Sequence, residues 1–126
     1  MPHVVVSFNS KLFTQLDITC LKRALPDIVS LALSSNVVYA AGSPTICKVD
    51  AKDVLVTQHA WHESDINIDP IVVLILAGNS KGRDPEKVLA IIVQKINDFP
   101  AIHPVDLRAS SVWLHFSAEN AFHRFS

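Results

Sequence analysis

The sequence lacks the features of a disulfide scaffold, a metal centre or a membrane span. It has only two cysteines, Cys20 and Cys47, and their separation does not match the C-x-x-C spacing of metal sites. The longest apolar run, Ile71 to Ala77, is far shorter than the about 20 residues that a membrane-spanning helix needs. No basic region followed by an apolar segment begins the chain, as it would in a secretory signal. These absences predict a cytoplasmic protein with reduced, buried thiols.

Charge is also scarce. Charged residues make up 18% of the chain, the formal net charge is -1, and Lys and Arg do not cluster. Nucleic acids and anionic membranes bind clustered basic residues, so we expect neither as a partner. Hydrophobic residues make up 49% of the 126 positions, which leaves a monomer few polar side chains to cover its surface. We therefore expect a single domain that forms an oligomer.

The first half of the chain predicts a strand, a helix and further strands. The β-branched stretch His3 to Phe8 is typical of a buried strand. From Asp17 to Ala32 apolar residues recur every three or four positions, as on one helix face, although Pro26 should kink or restart that helix. After a turn, a strand is expected at Thr45 to Val49 and a shorter one at Val54 to Val56.

The second half repeats this order. The apolar run from Pro70 to Ala77 is typical of a strand covered on both faces. The sequence Asp-Pro-Glu from Asp84 supplies an N-cap, a proline at the first helical position and an acid in the first turn, and Pro100 ends the helix. We expect the last long strand at Leu107 to Phe116 and a short edge strand at Ala121 to Phe125.

Each half therefore predicts one βαβ unit, about 1–58 and 66–126, within a single domain. Right-handed crossovers would place both helices on one face of a shared four-stranded sheet. The other face would then be bare, and another subunit is the expected cover for it. The predicted fold is an α+β, ferredoxin-like or tautomerase-like oligomer.

Pro2 has a chemistry that depends on the residue before it. With Met1 attached, the Pro2 nitrogen is a tertiary amide without a basic lone pair, but after removal of Met1 it is a secondary amine. A free α-amine titrates near about 7.7 to 8.0, and an apolar site or a nearby cation lowers that pKa. The neutral amine could take a proton from a carbon beside a carbonyl and return it elsewhere on a conjugated system. The alternative is that Pro2 only begins a strand, where its missing N–H does no harm.

The Met-Pro-His start, the two βαβ units and the segment Gly-Arg-Asp-Pro-Glu-Lys-Val that opens the second helix resemble the tautomerase superfamily. The closest resemblance is to the carboxymethyl-hydroxymuconate isomerase family of aromatic catabolism, whose chains have a similar length and the same three-residue start. The resemblance implies that Pro2 is the catalytic acid and base, that arginines bind substrate carboxylates, and that the chains form homotrimers. It also implies that neither a metal nor an organic cofactor is used.

Two cations are candidates for binding a carboxylate. Arg83 matches the family's substrate-binding arginine by its Gly-Arg context before a helix, where a guanidinium can bind a carboxylate bidentately. Alternatively, it is a solvated arginine paired with Asp84 or Glu86. Ile46 stands where the family's other arginine is expected, and Lys48, on the same face of the predicted strand, would supply only a point charge. An equal alternative is that Lys48 faces solvent. A single strong anion clamp implies a substrate other than the family's dicarboxylate.

Two further signals are weaker. Trp113 lies on the last long strand, where aromatics of the family can reach a neighbouring subunit's pocket, and core packing is the alternative. His59 and His62 with Glu63 lack a third ligand at diagnostic spacing, so no metal site is predicted. The segment from His59 to Asp69 is polar and is expected to be an irregular loop.

The sequence thus predicts a cofactor-independent tautomerase or isomerase. Its substrate would be a small unsaturated 2-hydroxy or 2-keto carboxylic acid, with Pro2 as acid and base, Arg83 holding the carboxylate, and Lys48 and Trp113 assisting. The alternative is a non-catalytic oligomer of the same fold that binds a ligand or a partner.

Overall fold

The computed structural model describes residues 2–34, 36–38, 44–46, 48–61, 69–78, 83–99, 107–117 and 120–125. Within these ranges the elements are β1 (His3–Asn9), α1 (Gln15–Leu33), β2 (Asn36–Val38), β3 (Pro44–Ile46), a 3₁₀ helix (Ala51–Asp53), β4 (Leu55–Trp61), β5 (Ile71–Gly78), α2 (Pro85–Asp98), β6 (Ser111–Phe116) and β7 (Asn120–Arg124).

Five of these strands form one mixed sheet in the order β4-β1-β5-β6-β7. β1 pairs parallel with β4 and β5 pairs parallel with β6, so both predicted βαβ units are present. The units join through β1 and β5, which are antiparallel with His3 opposite Leu76 and Phe8 opposite Ile71. β7 adds an antiparallel edge strand next to β6. The α+β class is confirmed, and the edge strand makes the sheet five-stranded instead of four-stranded.

One face of the sheet is covered by the helices. Side chains alternate along β1, β5 and β6, and those on the covered face form a single core with the buried faces of α1 and α2. The other face, called the open face below, carries half-buried and exposed side chains. Its described residues include Val5, Val72, Leu74, Leu76, Trp113 and Phe122 together with His3, Thr57, His59 and His115. Within one chain, β5 is therefore covered on one face and not on both as predicted.

α1 begins with a capping box. The Thr14 hydroxyl accepts a hydrogen bond from the Asp17 N–H at 3.2 Å, and the Asp17 carboxylate accepts one from the Thr14 N–H at 2.9 Å. These two bonds satisfy backbone donors that have no partner inside the helix. The helix therefore starts at Gln15, slightly before the first residue of the predicted apolar pattern.

Pro26 does not restart α1, because the helix is continuous from Gln15 to Leu33. A proline inside a helix removes one hydrogen bond and costs about 3 kcal/mol. Leu21 and Leu25 before Pro26, and Ile28 and Ala32 after it, are all buried in the same core. Each fully buried large apolar side chain contributes about 1.5–3 kcal/mol. Packing on both sides therefore outweighs the local cost of the proline.

α2 confirms its predicted start. The Asp84 carboxylate accepts a hydrogen bond from the Glu86 N–H at 3.0 Å, Pro85 occupies the first turn, and the helix runs to Asp98, just before Pro100. Its buried residues are Pro85, Val88, Leu89, Ile92 and Ile96.

The strands between α1 and β5 differ from the prediction. Pro44–Ile46, which overlaps the start of the strand expected at 45–49, pairs with Asn36–Val38 in a separate two-stranded ribbon. The strand that completes the first βαβ unit is Leu55–Trp61, which includes residues expected to be loop. Among the described strands, β4 pairs with β1 alone and is therefore an edge strand. Both of its faces carry exposed residues, such as Leu55 and Gln58, and its apolar pattern is weak.

β6 begins at Ser111, four residues later than expected. Leu107 to Ser110 instead form a turn, closed by a hydrogen bond from the Ser110 N–H to the Leu107 carbonyl at 2.9 Å. Ala109 has a φ of 65°, in the left-handed region that the sequence pattern did not indicate for an alanine. Because this turn occupies residues 107–110, β6 cannot begin before Ser111.

The expectations about the cysteines and about membrane-spanning segments can be compared with the described residues. Cys20 is a free thiol and is half-buried instead of buried, whereas Cys47 lies outside the described residues. In the part of the chain that the structure describes, neither helix is long and apolar enough to cross a bilayer.

We expect Pro26→Ala to raise the free energy of unfolding by about 1–2 kcal/mol, because alanine can restore the missing helical hydrogen bond while the unfolded chain gains some freedom. Urea unfolding followed by circular dichroism measures the change. Pro85→Ala is the matched control, because proline at the start of α2 is compatible with the helix and its removal gives no gain. A less stable Pro26→Ala variant would contradict the argument.

Candidate functional site

Pro2 lies directly before β1 and is buried. Its carbonyl accepts a hydrogen bond from the Leu55 N–H at 3.0 Å, so the contact between the first and fourth strands starts at this residue. One step beyond the His3–Leu76 pair, the register puts Pro2 opposite Ala77, near the end of β5. Met1 lies outside the described residues. We call this end of the sheet, where β1 and β4 begin and β5 and β6 end, the proline end.

Arg83 also belongs to the proline end. β5 finishes at Gly78, whose φ of 72° lies in the left-handed region that favours glycine. α2 must then run back along the sheet, because β5 and β6 are parallel, so its N-terminus and Arg83 lie at the end where β5 finishes. Arg83 is only 7% exposed, so it is not a solvated surface residue.

The burial of Arg83 affects its electrostatics. A guanidinium keeps its positive charge in proteins, and its interactions strengthen where water is excluded. Asp84, next in the chain, uses its carboxylate to cap α2 through the Glu86 N–H. The positive end of the α2 dipole adds to the cation at this end of the sheet.

Lys48 lies at the proline end because its neighbour Val49 is hydrogen-bonded to the C-terminal end of α1. Because β1 and β4 are parallel, α1 runs back and ends where β1 begins. Ser34 at that helix end accepts a hydrogen bond from the Val49 N–H at 2.9 Å and donates one to the Val49 carbonyl at 3.2 Å. Lys48, beside Val49, is exposed. The described strand covers Pro44–Ile46, Lys48 is not part of it, and Cys47 lies outside the described residues, so the predicted face shared by Ile46 and Lys48 stays a prediction.

Trp113 is a predicted site residue that does not lie at the proline end of its own chain. It lies on the open face between Leu74 and Phe122, and its ring centroid is 4.4 Å from that of Phe122 with the planes tilted by 47°. It is 44% exposed, so the core-packing alternative is wrong. Trp113 lies two strands away from Pro2 and level with Val5, farther along the sheet.

The histidine-rich segment does not form a described metal site. His59 is exposed on the open face opposite Ser7, whereas His62 and Glu63 lie outside the described residues. Within the described ranges, no three potential ligands come together.

Two features were missed at the sequence level. His3 Nε2 lies 2.9 Å from the Thr57 hydroxyl, which forms a polar contact on the open face directly after Pro2. The only signal for it was the position of His3 in the first strand. A groove of about 470 Å³ lies between α2 and β7, and Pro2, Arg83 and Lys48 do not line it. No periodicity indicates such a groove, because it depends on how a helix packs beside an edge strand.

No protein-family model matches this chain, and no curated protein matches it either.

Proposed function

We propose that the protein is a cofactor-independent tautomerase or isomerase of the tautomerase superfamily, closest to the carboxymethyl-hydroxymuconate isomerases. Its substrate is a small unsaturated 2-hydroxy or 2-keto carboxylic acid. The observation that supports this most is topological: Pro2, the buried Arg83 and Lys48 belong to three distant parts of the sequence and lie at one end of the sheet.

The proposed reaction begins with removal of Met1, which turns the Pro2 nitrogen into a secondary amine. Arg83 binds the substrate carboxylate, and the neutral amine takes a proton from the carbon or enol oxygen next to the conjugated system. Negative charge that develops on the substrate oxygen is stabilised by the nearby cations. The protonated amine then returns the proton at another position of the same conjugated system. Substrate and product are isomers, so the step balances without an external oxidant, reductant or group donor.

The same proposal includes a homotrimer built through the open face. Trp113 and Phe122 are 44% and 42% exposed there, beside the half-buried Val5 and Leu74. Such an apolar face on a sheet is covered in a stable protein. In the proposed assembly, the Trp113 side chain packs against a neighbouring subunit and extends towards the proline end of that subunit.

A non-catalytic oligomer is the second candidate. It is favoured by Ile46 at the position of the family's other arginine and by the exposure of Lys48 outside the strand, because together they leave Arg83 as the single buried cation among the predicted site residues. The N-terminal chemistry distinguishes this candidate from the enzyme.

We expect the mature protein to lack Met1 and Pro2→Ala to lower kcat/KM on 2-hydroxydienoates at least about 100-fold, the lower range of general acid–base catalysis. Intact-mass spectrometry and ultraviolet absorbance of the dienol measure the two results. A variant with one extra alanine between Met1 and Pro2 keeps the ring but acylates its nitrogen, and it should be as inactive. Pro70→Ala is the control proline. A retained Met1 with full activity would exclude Pro2 as the base.

We expect Arg83→Ala to raise KM about 10- to 100-fold with a smaller loss in kcat, because a charge-assisted hydrogen bond contributes about 1.5–3 kcal/mol. Arg83→Lys should recover part of the affinity, since it keeps the charge but loses the bidentate fork. Lys48→Ala, at an exposed position, should change KM less than about 3-fold if the net contribution of its charge is only a few tenths of a kcal/mol. Steady-state kinetics on variants with native circular dichroism give the values. An unchanged KM for Arg83→Ala would contradict the assigned role.

We expect Leu74→Arg to dissociate the assembly, because it places a charge in the apolar centre of the open face. Light scattering after size-exclusion chromatography measures the mass. Leu31→Arg is the matched control, because Leu31 is 59% exposed on α1, outside the sheet. A wild-type protein that is monomeric at micromolar concentration would rule out this interface.

A further inference from the structure

A groove extends along the full length of α2. One wall consists of helix residues spaced three or four apart, so that they form a single stripe: Glu86, Leu89, Ala90, Val93, Gln94, Asn97 and Asp98. The other wall is formed by Phe122 and His123 of β7. The groove has a volume of about 470 Å³. At 1.5 Å per residue, the helical wall is about 18 Å long.

The strand beside this groove is the edge of the sheet. In the described part of the chain, β7 pairs only with β6. The Phe125 N–H donates to the Ser110 carbonyl at 2.8 Å, which fixes the direction of the backbone groups. Because these groups alternate along a strand, the N–H and C=O of Phe122 and Arg124 point away from β6. Such an edge is a template for another strand, and β7 contains no proline that would block pairing.

The chemistry of the groove is apolar in the middle and acidic at its ends. Leu89, Ala90 and Val93 form the central part of the helical wall, while Glu86 and Asp98 lie at its two ends. No Lys or Arg is among the described residues that line it. Opposite charge at both ends and apolar side chains between them would complement this surface.

We propose that the groove binds an extended peptide, which adds to β7 as a sixth strand of the sheet. Its main chain pairs with the outward groups of Phe122 and Arg124, an apolar side chain enters between α2 and β7, and basic side chains approach Glu86 and Asp98. Strand addition of this kind derives affinity from main-chain hydrogen bonds and specificity from alternate side chains. A five-residue strand is about 17 Å long and therefore matches the helical wall.

Strand β4 of a second copy fits the groove less well. Among the described strands β4, Leu55–Trp61, is the other edge of the sheet, and it contains no Lys or Arg to complement the acidic ends. Glu86 lies at the same end of α2 as Arg83, but Pro2, Arg83 and Lys48 do not line the groove, so the peptide proposal does not depend on the proposed catalysis.

The test uses the full-length protein and the peptide acetyl-Thr-Lys-Thr-Leu-Thr-Lys-Thr-amide, whose Lys and Leu side chains lie on one side of an extended strand. We expect saturable changes in the ¹⁵N–¹H spectrum at the amides of Phe122 and Arg124. A peptide with Glu in place of both Lys residues should bind at least 5-fold more weakly. A peptide with Pro in place of both Thr residues that flank Leu should lose the changes, because its main chain cannot pair.

Protein variants give the complementary test. Ala90 is exposed, so Ala90→Arg fills the groove without disturbing the core and should weaken binding more than 10-fold. Leu31→Arg adds the same side chain on α1 and should bind like the wild type. Glu86→Gln combined with Asp98→Asn should weaken binding at least 5-fold and reduce its dependence on salt.

Three outcomes would overturn the proposal. They are the absence of saturable binding up to millimolar peptide, binding that Ala90→Arg leaves unchanged, and the same amide changes appearing on concentrating the protein alone. The last result would show that the groove is a contact between copies of this chain.

Discussion

The antiparallel pairing of β1 with β5 is the contact on which the rest of the structure depends. It joins two βαβ units at the centre of the sheet and lets both helices bury the same face. It also brings the start of the first strand beside the end of the fifth, with His3 opposite Leu76. A shift by one residue would turn Val4 and Val6 out of the core, so burial fixes this register.

Covering only one face of the sheet has consequences for function. The hydrophobic core lies on the helical side, whereas no described element of the same chain packs on the open face or pairs with the outer edge of β7. These surfaces differ in chemistry although both include Phe122: the open face carries the exposed Trp113, and the groove beside β7 has acidic ends. The proposed assembly uses the first surface and the proposed peptide uses the second. The proline end, with buried Pro2 and Arg83, is the place proposed for chemistry.

Features that depend on residues within one helical turn or one strand were predictable from the sequence, whereas features that depend on contacts between distant segments were not. The start of α2 was predictable because Asp84 and Pro85 act within one turn, and β5 because its apolar run is continuous. Only the start of β4 was predicted, as part of a short strand at Val54 to Val56, because an edge strand can be polar on both faces. The turn at Ala109 was missed because a left-handed alanine has no pattern of its own. For the site, the Gly-Arg context of Arg83 was a local signal, whereas its burial depends on packing between distant segments. The predicted strand face linking Ile46 to Lys48 stays a prediction, because the described strand is Pro44–Ile46.

The sequence alone determined where the chain can bury itself: the repeated strand–helix order, the amphipathic faces of the two helices, and the possibility of a reactive nitrogen at Pro2. These properties follow from spacing and residue type, which act over a few positions. Only the tertiary structure decided which strands are neighbours, that α1 continues through Pro26, and that Trp113 lies away from Pro2 while Arg83 and Lys48 share its end of the sheet. Strand pairing and burial are collective choices among distant segments, and the free energy that selects them comes from the whole core.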